Sequence, residues 1–164
     1  MIYEFCAENV TLLEKAMQAG ARRIELCDNL AVGGTTPSYG VTKAAVELAA
    51  NYDTTIMTMI RPRGGDFVYT DLEIAIMLED IRLTAQAGSQ GVVFGTLTAD
   101  KKLDKPNLEK LIAASKGMEI VFHMAFDELS EEDQLEAIDW LSQAGVTRIL
   151  TRAGVSGDPL EKRF

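Results

Sequence analysis

The sequence is poor in the residues from which metal cages and disulfide frameworks are usually built. Among 164 residues there are two cysteines, one histidine and one tryptophan. Two cysteines make no disulfide framework, and neither Cys-x-x-Cys nor a Cys–His zinc spacing is present. Positive charge is also short, with 16 Lys and Arg against 25 Asp and Glu, a formal net charge of −9. That balance argues against non-specific nucleic-acid binding and against docking on an anionic membrane. No apolar run is long enough for a transmembrane helix. Met1-Ile2-Tyr3-Glu4 has neither the basic start nor the apolar stretch of a secretory signal. No Gly-x-Ser-x-Gly elbow is present, so a Ser-His-Asp triad has no nucleophile to argue from. What remains is 47% hydrophobic and 25% charged. That is globular composition, and the expectation is one domain in a reducing cytoplasm.

Extended and helical patterns alternate along the chain. Ile2 to Cys6 reads as a strand, followed by a helix with Val10, Leu13, Ala16 and Met17 on one face. Arg23 to Cys27 is a second strand, and a polar, Gly-rich loop runs from Asp28 to Gly40. A helix over Val41 to Ala50 leads to a third strand over Thr54 to Arg61. Thr70-Asp71-Leu72-Glu73 has capping-box spacing and opens a helix with Ile74, Met77, Leu78 and Ile81 aligned. Gly91 to Gly95 is a short strand, and Pro106 opens a helix with Leu108, Leu111 and Ile112 inward. Met118 to His123 is the fifth strand. Ser130 caps a helix expected to bury Leu135, Ile138 and Leu141, and Val146 to Thr151 is the sixth strand.

Ala-Gly pairs at 19–20, 87–88 and 144–145 each precede a strand, a weak repeat that marks βα units. Strict alternation of this kind implies a parallel sheet covered by helices. The choices are a closed barrel and an open doubly wound sheet. Polar residues at period two near the strand ends favour the barrel, because they would point into its mouth. The expected fold is α/β, a (β/α)8 TIM-type barrel, here incomplete with about six parallel strands and five helices. Asp158-Pro159-Leu160-Glu161 reads as a further helix start just before the chain ends.

Strand periodicity selects the candidate residues. If Ile24 and Leu26 face the helices, Glu25 and Cys27 face inward, and Glu4 and Cys6 do the same on the first strand. Met57, Met59 and Arg61 share the inner face of the third strand, and His123 shares one with Val121. Glu4, Glu25 and Arg61 suit either a substrate site or an ion-pair cluster filling the barrel. Cys6 and Cys27 are thiolate ligands or two small buried residues, and from spacing alone the second reading is the simpler. Met57 and Met59 are soft ligands or gap-fillers. An acid–base enzyme would draw on Glu25, Arg61, His123 and Asp127. Arg61, Arg63, Gly64 and Gly65 form the most distinctive loop, in which two guanidiniums and glycine-exposed backbone N–H groups suit a small anion.

Three stretches resemble the CutC copper homeostasis family. They are Arg23-Ile24-Glu25-Leu26-Cys27-Asp28-Asn29-Leu30, Gly33-Gly34-Thr35-Thr36-Pro37-Ser38-Tyr39-Gly40, and Met59-Ile60-Arg61-Pro62-Arg63-Gly64-Gly65-Asp66-Phe67. Gly91 to Gly95, Phe122-His123 with Ala125-Phe126-Asp127, and Thr147 to Thr151 extend the likeness over nearly the whole chain. The resemblance implies a (β/α)8 barrel, a cytoplasmic protein and Cu(I) as partner, with Cys6 and Cys27 as ligands and Met59 and His123 as helpers. Met124 and Arg152 depart from the family pattern, which has arginine and serine there. Six strands leave the first and last edges unpaired. A homo-oligomer, or a longer parent chain, is therefore expected to cover them.

Overall fold

The computed structural model describes residues 2–152; the helix start expected at Asp158 lies outside them. Six strands, β1 (Glu4–Glu8), β2 (Arg23–Cys27), β3 (Thr55–Met59), β4 (Gly91–Phe94), β5 (Glu119–Phe122) and β6 (Arg148–Ile149), form a single parallel sheet in the order β1-β2-β3-β4-β5-β6. Five α-helices connect them: α1 (Leu13–Gln18), α2 (Tyr39–Ala49), α3 (Asp71–Ala87), α4 (Lys105–Ala114) and α5 (Glu131–Gln143). A doubly wound sheet reverses its strand order at a switch point. Here every neighbour in space is the neighbour in sequence, as in one side of a barrel.

The sheet is also strongly curved. Arg23 on β2 reaches Glu119 on β5, with Nη1 2.7 Å from Oε2. In a flat sheet, strands three places apart would stand about 14 Å apart, with both side chains upright. The two can meet only where the sheet rolls around a common axis. The molecule is a half-barrel with its helices outside.

Alternation sorts the two faces. Ile24, Leu26 and Ile56 pack outward with Leu13, Met17 and Ala45. Ile60, Val92, Phe94, Ile120 and Phe122 do so with Met77, Ile81, Leu108 and Leu111. Facing inward are Cys27, Met57, Met59, Val93 and Val121, a separate interior cluster. The helix starts follow their caps. Ser38 accepts from Val41 N, Ser130 from Asp133 N, and Thr70 and Glu73 close a capping box.

Three expectations need correction. β1 runs Glu4–Glu8 rather than Ile2 to Cys6, because its ladder is set by β2, with Glu4 opposite Arg23 and Glu8 opposite Cys27. Asn9 and Leu12 then take left-handed conformations, so α1 starts only at Leu13 and Val10 is left exposed. On α5, Ala137 and Leu141 are buried, while Leu135 (70% exposed) and Ile138 (44%) point outward. Among the described residues no helix is long and apolar enough to cross a membrane.

Candidate metal centre and barrel mouth

β1 and β2 carry the thiols. Cys6 lies opposite Glu25 and Glu8 opposite Cys27, so the cysteines are diagonal neighbours on the inner face. Their sulfurs are 4.0 Å apart, and each Sγ lies 3.6 Å from the same Glu25 Oε1. All the ligand atoms of Cys6, Glu25 and Cys27 fall within 4.8 Å of one another. Cys6 is exposed and Cys27 fully buried. Met59 belongs to the same interior cluster as Cys27.

The loop after β2 closes tightly over this group. Gly34 has φ +89°, and a Cβ there would stand 3.1 Å from Cys27 Sγ and 3.6 Å from Met59 Cε. Glycine is required both for the conformation and for the contact. Burial, reinforced by the charge of Glu4, raises the Glu25 carboxyl above its usual range. The Cys27 thiol is raised by its contact with the Cys6 thiol and by burial. As it stands the group therefore favours a neutral Cys27 thiol; a cation bound beside it would reverse that preference.

Arg61 follows β3 and is buried (2% exposed) at the C-terminal end of the sheet. Its guanidinium is bound by backbone carbonyls. Nη1 donates to Val32 O (2.9 Å) and Gly34 O (3.0 Å), and Nη2 to Gly65 O (2.8 Å). The side chain thus pins the loop after β2 to the loop after β3. It also lies over the Phe67 ring, 4.9 Å from its centroid. It does not pair with Glu4 or Glu25, so of the two readings open for those three residues the shared ion-pair cluster is not formed. Carbonyl acceptors from two converging glycine loops occupy the guanidinium instead. Arg63 is drawn outward to Glu73 and Asp66.

His123 is completely buried, with its ring 4.9 Å from that of Phe67. Nδ1 accepts from Ala125 N, and Nε2 has no partner. Burial first, and the Arg61 charge second, lower its imidazole to about 3, so it is neutral. Gly95 makes room for it, since a Cβ there would sit 2.7 Å from the ring. Asp127 accepts from the Thr151 hydroxyl and from Arg152 N (2.9 Å), tying the segment after β5 to the one after β6. Arg61, Met124, Asp127 and Arg152 line one cavity of about 170 Å³ at the mouth. Glu25 is with the thiols rather than with this group, and His123 lies outside the Cys6-Glu25-Cys27 cluster.

The opposite end of the half-barrel holds a cluster that the strand-end reading missed. Glu4 lies at the N-terminal end of β1, not near a C-terminus. Its Oε2 is 2.5 Å from Arg23 Nε, off the N–H axis. Arg23 is buried and bridges Glu4 to Glu119. The signal was present, because Arg23 shares the period-two face of Glu25 and Cys27.

Fold and site together define a (β/α)8-type scaffold with a thiol pair inside its curve and a basic group at its mouth. The CutC family model matches residues 1–162, and the chain belongs to that family. It is 54% identical over 164 residues to a CutC family protein of Enterococcus faecalis, covering 100% of this chain and 78% of that one. It is 50% identical over 160 residues to a relative from Streptococcus pyogenes, covering 98% and 77%. A solved copper homeostasis protein CutC from Streptococcus agalactiae superposes with TM-score 0.95 at 47% identity, over 99% of this chain and 78% of that one. A phosphonomutase structure from Burkholderia cenocepacia (TM-score 0.68, 18% identity, 92% of this chain and 62% of that one) shares the fold alone.

Proposed function

We propose that the chain serves copper homeostasis in the cytoplasm by binding Cu(I) through Cys6 and Cys27. The observation that carries this is the 4.0 Å separation of the two sulfurs beside a shared carboxylate. Soft thiolate ligands suit Cu(I), and a two-sulfur site lacks the four ligands of a structural zinc centre. With metal–sulfur bonds of about 2.3 Å, two sulfurs flanking one ion stand at most about 4.6 Å apart. The observed spacing needs little adjustment to bracket an ion. Met59, in the same cluster as Cys27, is the nearer of the two suggested helpers; His123 belongs to the mouth with Phe67. A reducing cytosol keeps both thiols available.

The test is an anaerobic Cu(I) titration against a competing chelator. Wild type should take up a single ion per chain, and Cys6→Ser/Cys27→Ser should lose it. Unchanged stoichiometry and affinity in the double variant overturn the reading.

A further inference from the structure

We infer that the mouth cavity at Arg61 is a binding site for a small oxyanion, a carboxylate or a phosphate, separate from the thiol pair.

The inference starts from charge. Arg61 is 98% removed from solvent, yet among the described residues no carboxylate lies within ion-pair distance of it. Its three acceptors are neutral carbonyls, and Nε has no partner. A buried guanidinium in this state keeps both a net charge and a spare donor. The two acids that line the same cavity are engaged elsewhere. Asp127 accepts from Thr151 and Arg152 N, and Glu128 pairs with Lys101 at 3.1 Å.

The cavity is also built, not incidental. Gly33 has φ +90° and passes so close to Arg61 that a Cβ would lie 3.3 Å from Nη1. At Gly64 a Cβ would lie 2.7 Å from Val32 Cβ, so the two loops could not close around the guanidinium with larger residues. Their clasp fixes the charge at the C-terminal face of the sheet, where (β/α) folds bind ligands. The volume, about 170 Å³, is below the range of about 300–1,000 Å³ that holds cofactors and drug-sized molecules. It suits an anion of a few heavy atoms, which an arginine recognises through its planar N–H groups.

The test uses the whole chain with arginine Nε–H groups followed by NMR. Inorganic phosphate and pyruvate are titrated separately at constant ionic strength. The Arg61 Nε–H signal, identified by its loss in Arg61→Lys, should move saturably with at least one of them, and which one tells phosphate from carboxylate. The exposed Arg82 signal should stay still. Met124→Trp, which fills the cavity from its lining, should weaken binding by about tenfold or more. Copper uptake should be unchanged by either anion, so failure here is distinct from failure at the thiols. A motionless Arg61 signal, a linear response shared with Arg82, or full affinity in a folded Met124→Trp protein overturns the site. If Met124→Trp does not fold, the wild-type titration alone decides.

Discussion

Among the described residues two arginines are buried in the half-barrel, one at each end, and they are held in opposite ways. Arg23, on the floor, lies between Glu4 and Glu119, which come from strands on either side of the curve. Arg61, at the mouth, lies over the Phe67 ring and donates to carbonyl oxygens of the loops beside it, with no carboxylate among its described acceptors. The floor has its charge matched by carboxylates and is a structural lock. The mouth has charge and a donor to spare. Equal burial therefore does not mean equal role; what separates them is whether the partner is already part of the chain.

The sharpest way to break this contrast is to remove a floor partner. Glu119→Ala should leave a buried guanidinium with one poorly aligned carboxylate, at a cost of about 2 kcal/mol in urea unfolding, below the full-burial figure because Glu119 is 44% exposed. A loss no larger than that of an exposed ion pair would mean the floor is no lock. The next effect belongs to the mouth and depends on pH. The His123 imidazole titrates near 6.5 when free and at about 3 in the folded chain. As pH falls below about 6.5 the unfolded chain takes up the proton first. Stability is therefore complete above that value and declines toward pH 3, by up to about 1.4 kcal/mol per pH unit. Urea midpoints at pH 7 and pH 5 should show this slope in wild type and lose it in His123→Gln. A slope that survives the substitution assigns it to other groups. The smallest effect is expected at Gly34→Ala, where a left-handed φ costs about 1–2 kcal/mol. The crowding of Cys27 there should weaken Cu(I) uptake, and because Gly34 O also accepts from Arg61 the Arg61 signals should shift with it. Copper uptake untouched by the change would separate the loop from the thiols.

Much of this was legible because it is local. β2 has the expected bounds, the capping box at Thr70 follows from its spacing to Glu73, and the inward faces of Glu25, Cys27, Met57 and Met59 follow from a period of two. The pairing of Arg23 with Glu119 was not, since 96 residues separate them and only the curl of the sheet brings them together. Nor was the setting of Arg61, because backbone carbonyls leave no mark in side-chain identity. The exposure of Leu135 and Ile138 shows the same limit: a helical period tells which residues align, not which flank meets the sheet.

The strand order has a consequence for how the molecule is assembled. Each strand pairs only with those made just before and just after it, so every ladder can close as soon as its second strand is complete. Growth can proceed unit by unit from the first strand. The exception is the contact from Arg23 to Glu119, which must wait until β5 exists. The floor contact thus becomes available only after the first four strands, and it tightens a curve that those earlier units have already begun.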